Sequence, residues 1–274
     1  MATKKAATAK KTARSTKSQL AKTNVTTVKA VESKSASTST RSRLGGDRRT
    51  LLAAALIGEF IGTFLLTAGF LVTKGEPLYL GFILIVLVLM VGTLSGAYLN
   101  PMITVGAWVT RKLTHLRAVA YIVAQLLGAG AAFVVLSAFL SANHADSSAS
   151  AFAQQSPELF KLAPLTSANQ WYVFFAELLG TIIFAFAFAG AWRERTDRVA
   201  KALTVGFGLF VAALIAGVAA SYVTANVALN PAIALAASAI DWSSINWVAI
   251  AAYLVAPLIG GIIGFALRDV LESK

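Results

Sequence analysis

No cysteine occurs anywhere in the 274-residue chain. That absence excludes disulfides, thiol nucleophiles and thiolate-held metals. Histidine is nearly as scarce. His115 and His144 are the two, both at the ends of apolar runs, where a solvated loop side chain is the ordinary reading. No Ser/His/Asp grouping, carboxylate pair or phosphate-cradling glycine loop stands at a useful spacing. The chain is therefore read as no enzyme, with no metal and no cofactor. Charge is short as well. Charged residues make up 13% of the sequence against 57% hydrophobic, and the mean hydropathy is +0.71. A soluble domain of this length needs more charge to clothe its surface.

What the sequence has instead is apolar runs. Residues 51–72, 78–95, 116–142, 171–192, 202–221 and 245–267 are each about long enough to cross a hydrocarbon core of roughly 30 Å at 1.5 Å per residue. Glycine is frequent inside them, and small residues let helix backbones approach closely in lipid. Six transmembrane helices are expected.

The charge that exists is unevenly placed. Thirteen of the 24 Lys and Arg fall in residues 1–49, against only Glu32 and Asp47 of the twelve acids. That segment carries too little apolar surface to fold and is expected to be a disordered basic cytoplasmic tail that sets topology and touches anionic lipid. A nucleic-acid-binding arm and an organelle transit peptide are the weaker alternatives, and no nucleic-acid partner is expected. Arg111, Lys112 and Arg117 follow the second run, Arg193, Arg195, Arg198 and Lys201 the fourth, and Arg268 and Lys274 the sixth. The opposite loops hold Lys74 and Lys161 among Glu76, Asp146, Glu158 and Asp241. Both termini are thus expected in the cytoplasm, with residues 143–170 as the long outer loop and 269–274 as a short cytoplasmic end.

The chain also repeats itself. Gly58-Glu59-Phe60-Ile61-Gly62-Thr63 recurs as Ala176-Glu177-Leu178-Leu179-Gly180-Thr181, and Leu99-Asn100-Pro101-Met102 as Leu229-Asn230-Pro231-Ala232. Ala124-Gln125-Leu126-Leu127-Gly128 recurs as Ala256-Pro257-Leu258-Ile259-Gly260. The halves, about 50–142 and 170–268, hold three spans each. An odd number turns the second upside down relative to the first, and inverted repeats place their site near the midplane. Asn is a good N-cap and Pro suits the first helical position. The apolar stretches 101–110 and 231–240 that follow are too short to span, so they are expected as re-entrant half-helices with their N-termini meeting in mid-membrane. Glu59 and Glu177 stand in spans, where an ionisable residue is costly and faces the interior. A structural role, holding the loops that lead into each half-helix, is favoured over a proton relay.

Glu59, Ser95-Gly96-Ala97-Tyr98-Leu99-Asn100-Pro101, Tyr121-Ile122-Val123-Ala124-Gln125, Glu177, Asn230-Pro231-Ala232 and Ala256-Pro257-Leu258-Ile259-Gly260 resemble the signature of the major intrinsic protein family, the aquaporins and glycerol facilitators. The resemblance covers about residues 50–268. It implies an all-α channel domain there, a homotetramer with one pore per subunit, and location in the cell (plasma or inner) membrane. It also implies that Asn100 and Asn230 offer their amides to a passing oxygen. A polar solute in an apolar tube needs such donors, since an unmet polar group costs roughly 2–7 kcal/mol.

Two departures from the family pattern stand out. The first motif ends in Met102 in place of the usual Ala, which either narrows the centre or, the favoured reading, repacks the joint. The Arg that usually follows the second motif is Ile233. By offset, the other filter positions map to Leu80, Val218 and Val227, so the outer selectivity filter is expected to be wholly aliphatic. Ala234, Tyr253 and Leu254 give mixed subtype signals. The expected function is a passive channel for water and/or small uncharged solutes such as glycerol. The alternative is a membrane structural or interaction protein with a vestigial pore and a working basic tail.

Overall fold

The computed structural model describes residues 40–145, 158–194 and 197–273, with the side chains of 40–49 and 143–145 left aside. The expected tail lies outside the described residues up to 39, as does much of the outer loop (146–157). All regular structure among the described residues is helical. The first half runs α1 (Thr40–Thr73), α2 (Pro77–Val91), α3 (Pro101–Val109) and α4 (His115–Ala145). The second runs α5 (Gln170–Arg193), α6 (Arg198–Ser221) and α7 (Pro231–Ala236). It closes on α8 (Trp247–Ile250), a π-helical turn (Ala251–Val255) and α9 (Ala256–Glu272), which run on as one span.

Five of these are long and apolar enough to cross a membrane: Thr50–Thr73, His115–Ala142, Gln170–Arg193, Arg198–Ser221 and Trp247–Glu272. The second apolar run forms a 15-residue helix, Pro77–Val91, which rises about 22 Å. Its last residues leave the helix at Gly92 to enter the loop that feeds α3.

Two boundaries differ from the sequence expectation, at residues 40–49 and at the end of α7. Residues 40–49, expected within the disordered tail, continue α1 as helix. Once an apolar span has nucleated a helix, each further residue adds one backbone bond. Residues 269–272 of the expected short cytoplasmic end form the last turn of α9. Asp269 there pairs with Lys112 and with Arg193 (3.4 Å), and Glu272 pairs with Arg193 (2.6 Å) and Arg268. Finally, α7 stops at Ala236 rather than running to 240. Ser238 takes the left-handed conformation (φ 56°) and the Ala239 N–H bonds back to Ala234. Beyond it the Asp241 carboxylate accepts from the Ser243 hydroxyl (2.6 Å) and N–H (2.9 Å) and the Ser244 hydroxyl (2.9 Å), which hold its pKa down to about 2.

Local chemistry explains the remaining ends. Asp197 caps α6 through the N–H groups of Val199 (2.8 Å) and Ala200 (2.9 Å), and Asn246 caps α8 through Val248 (2.9 Å). The π turn precedes Pro257, whose ring cannot accept a normal helical carbonyl four residues back and which brings no N–H. Three pairs pack across the repeat, α3 on α9, α7 on α4 and α2 on α6, while within the second half α5 lies on both α6 and α9. Large apolar side chains such as Leu116, Phe139 and Trp247 face outward, as lipid requires. Exposed Tyr79, Trp171, Tyr172, Tyr222 and Trp247 all stand at the helix ends on one side of the chain's zigzag, an aromatic belt.

Candidate functional site

The site is built twice, once from each half. Asn100 caps α3 by accepting from the Met102 N–H at 2.9 Å, and Asn230 caps α7 by accepting from the Ala232 N–H at 3.0 Å. Pro101 and Pro231 occupy the first helical positions, where their missing N–H costs nothing. Each asparagine amide then crosses to the other half. Asn100 Nδ2 donates to the Leu229 carbonyl at 2.9 Å, and Asn230 Nδ2 donates to the Leu99 carbonyl at 3.1 Å. This reciprocal pair brings the two half-helix N-termini together. An amide nitrogen carries two donors, so each asparagine keeps one N–H beyond the cross-bond.

The residues just before the asparagines are strained. Leu99 (φ 50°) and Leu229 (φ 51°) both lie in the left-handed region, which costs a non-glycine residue about 1–3 kcal/mol. Each is held from both ends. Glu59 Oε2 accepts the Leu99 N–H (2.8 Å) while Oε1 accepts that of Tyr98 (3.0 Å). Glu177 Oε2 accepts the Leu229 N–H (3.0 Å) while Oε1 accepts that of Ala228 (2.6 Å). The carbonyl of each leucine is taken by the opposite asparagine. Its side chain seats on a glycine one turn after the glutamate. A Cβ on Gly62 would collide with Leu99 Cδ2, and one on Gly180 would fall 2.6 Å from Leu229 Cδ2. The repeated Glu-x-x-Gly spacing thus puts a backbone clamp and a side-chain seat on one helix face. In the first half Gln125 adds a third bond to Glu59 (2.7 Å) and a bond to Thr104 (2.9 Å). The matching position in the second half is Pro257, which adds none.

A cavity of about 290 Å³ leads to this centre. It begins at the α1–α2 turn (Lys74, Glu76) and Phe160 and ends at Asn100, Asn230 and Tyr98. Leu80, Val218, Val227 and Ile233 all lie on its wall. Leu80 and Ile233 are buried, whereas Val218 is 45% exposed. Glu76 and Lys74 are the ionisable side chains of the cavity mouth, and Asn226 is a polar group beside Val227.

Met102 is not on that wall. Its side chain is fully buried against α9, where a Cβ on Gly261 would lie 2.8 Å from Met102 Cγ and 3.0 Å from its Sδ. The repeat-related positions are Ala232 on α7 and Ala129 on α4, which pack together across the halves. A long residue against glycine on one side thus answers two alanines on the other. Replacing Met102 with Ala should lower stability by about 2 kcal/mol or more by leaving a void. It should leave the ratio of glycerol to water permeability unchanged. Thermal unfolding in detergent and vesicle flux check the two halves of that expectation.

Several site residues carried no clear sequence signal. Asn226 accepts from the Ala163 N–H (3.1 Å) and, at its carbonyl, from the Tyr253 hydroxyl (3.2 Å). The Leu162 N–H bonds to the Ala237 carbonyl at the end of α7 (2.9 Å). The described part of the loop between the halves is therefore stitched to the cavity mouth. Its hint in sequence is the cluster of large apolar residues Leu159, Phe160, Leu162 and Leu165 within the loop between the halves.

Comparison with known proteins agrees with this geometry. The model of the family described as Major intrinsic protein matches residues 48–267. The chain is 28% identical over 242 residues to "Aquaporin Z" of Photorhabdus laumondii, covering 81% of this chain and 97% of that protein. It is 26% identical over 228 residues to "Glycerol uptake facilitator protein-like 6" of Lactiplantibacillus plantarum, covering 80% and 98%. Among solved structures it superposes on the aquaglyceroporin from Plasmodium falciparum with a TM-score of 0.56 at 22% identity, covering 81% and 96% of the two chains, a likeness of fold. A family match over most of the chain, an all-helical membrane fold and two capped half-helices meeting at their N-termini lead to one conclusion: the chain belongs to the major intrinsic protein family and is a multi-pass membrane channel, not an enzyme.

Proposed function

We propose that the chain is a passive pore for water and small uncharged solutes such as glycerol, selected on one side by an aliphatic ring of Leu80, Val218, Val227 and Ile233. One observation carries this reading: those four side chains and the amides of Asn100 and Asn230 share a single cavity. The ring offers no side-chain donor and no fixed charge. At the centre each of the two asparagines keeps a free N–H group as a donor. With the positive dipole ends of α3 and α7 aimed at the same place, they orient a passing oxygen and oppose cations and protons. Glu59 and Glu177 hold the loops that present those amides.

The basic side chains Arg111, Lys112, Arg193, Arg198, Lys201 and Arg268 lie at the ends opposite the aromatic belt. By the positive-inside rule that side is cytoplasmic and the cavity mouth faces outward. We place the channel domain at about 50–268, in the cell membrane, as a homotetramer with one pore per subunit. The basic tail lies against anionic lipid.

The test is full-length protein in two preparations. Proteoliposomes under a sucrose gradient should shrink faster than protein-free vesicles, while planar bilayers carrying the protein show no added conductance. A conductance that rises with protein would contradict a pore restricted to uncharged solutes.

A further inference from the structure

A second cavity, about 360 Å³, opens at the other end of the molecule between the loop before α3 and the α5–α6 turn, with Gly96, Trp192 and Lys201 on its wall. No residue lines both cavities. Tyr98 stands between them. It ends the first cavity beside the asparagines, and its ring touches two residues of the second. The Trp192 ring is 5.3 Å away, and a Cβ on Gly96 (φ 97°) would fall 2.9 Å from Tyr98 Cε2. That close approach over a left-handed backbone is why position 96 takes glycine.

The Tyr98 ring is fixed rather than free. Tyr121 and Phe188 hold it at centroid distances of 5.5 and 5.6 Å, and the residue is 1% exposed. Its backbone N–H is held by Glu59. Only its hydroxyl is left over. Three tyrosines are wholly buried. The Tyr121 hydroxyl donates to the Ser95 carbonyl (2.8 Å) and the Tyr253 hydroxyl donates to the Asn226 carbonyl (3.2 Å). The Tyr98 hydroxyl has no hydrogen-bond partner among the described residues. Tyr98 is a wall residue of the first cavity, and a buried hydroxyl without a partner gains what it lacks from any polar molecule that comes within reach.

We propose that Tyr98 is a specificity-determining residue of this pore. Its ring closes the passage between the two cavities to all but narrow solutes, and its hydroxyl hydrogen-bonds the solute next to the two asparagine amides. Selection is then divided between an aliphatic ring on one side of the asparagines and a single phenol on the other. This rests on the channel reading above.

The chain's lack of cysteine gives a direct test. Full-length Tyr98→Cys carries one thiol. In proteoliposomes, methyl methanethiosulfonate should cut its water permeability by about fivefold or more, reversibly with reductant, and leave the wild type untouched. Tyr98→Phe keeps the ring's packing and should lower glycerol permeability about threefold. Tyr98→Ala should raise the glycerol-to-water ratio about tenfold. If the reagent leaves the Cys variant conducting and the Phe and Ala variants keep the wild-type ratio, Tyr98 only packs. The proposal is then overturned while the channel reading stands. If no form, wild type included, moves water or glycerol faster than protein-free vesicles, the channel reading fails and takes this proposal with it.

Discussion

Glu59→Ala should be among the most damaging single substitutions in the membrane domain. It strips the acceptors from the backbone N–H groups of Tyr98 and Leu99 and from the Gln125 amide, all at 2.7–3.0 Å and all buried. A typical hydrogen bond contributes about 0.5–1.5 kcal/mol net, and each buried donor left unmet costs about 1–3 kcal/mol. The loss should therefore reach about 3 kcal/mol or more. The left-handed Leu99 would lose one of its two backbone anchors, so the cross-bond from Asn230 should weaken with it. Glu59→Gln should fall between wild type and Ala, because its amide keeps one acceptor but turns a donor toward a backbone N–H. Glu177→Ala should cost somewhat less than Glu59→Ala, since Glu177 has the two loop N–H groups but no counterpart of Gln125. Thermal unfolding in detergent gives the ranking. A Glu59→Ala protein as stable as wild type would contradict the clamp.

Ile233→Arg should change selection more than stability. Position 233 is the third residue of a capped six-residue half-helix, on the cavity wall with Leu80, Val218 and Val227. A guanidinium there adds five donors and a fixed charge to a ring of four side chains that has neither. It can reach toward Glu76 and the Asn226 side of the mouth, which supply polar company. The free cross-section shrinks, and a solute with a carbon backbone loses more room than water does. The glycerol-to-water permeability ratio should fall about tenfold, equivalent to a difference of about 1.4 kcal/mol between the two barriers. Paired sucrose and glycerol gradients on the same vesicles measure it. An unchanged ratio would place the narrow point elsewhere, with Tyr98 the first position to examine.

How far the sequence alone carried the reading differs by element. The spans were legible because lipid demands long apolar runs, and the half-helices because Asn-Pro is both a cap and a first-turn signal. The Glu and Gly of the repeat were legible as a pattern. Their division of labour, one clamping the leucine backbone and the other seating its side chain, needed three dimensions. Leu99 and Leu229 gave no sign of a left-handed backbone, because nothing in a leucine announces one. The short end of α7 was hidden for the same reason, since Ser238 does there what glycine usually does. The burial of Met102 against Gly261 depends on contact between halves that lie 159 residues apart in sequence. Tyr98 was visible as part of a motif, but its unpartnered hydroxyl is a property of packing and no spacing rule exposes it.

The central claim is that uncharged solutes cross one pore bounded by the aliphatic ring and the asparagine pair. Stopped-flow light scattering on full-length proteoliposomes tests it most directly, with shrinkage under sucrose followed by reswelling under glycerol. The account predicts shrinkage and reswelling both faster than in protein-free vesicles, with the glycerol phase accelerated because no arginine bars the ring. Vesicles that match the protein-free control in both phases would contradict it.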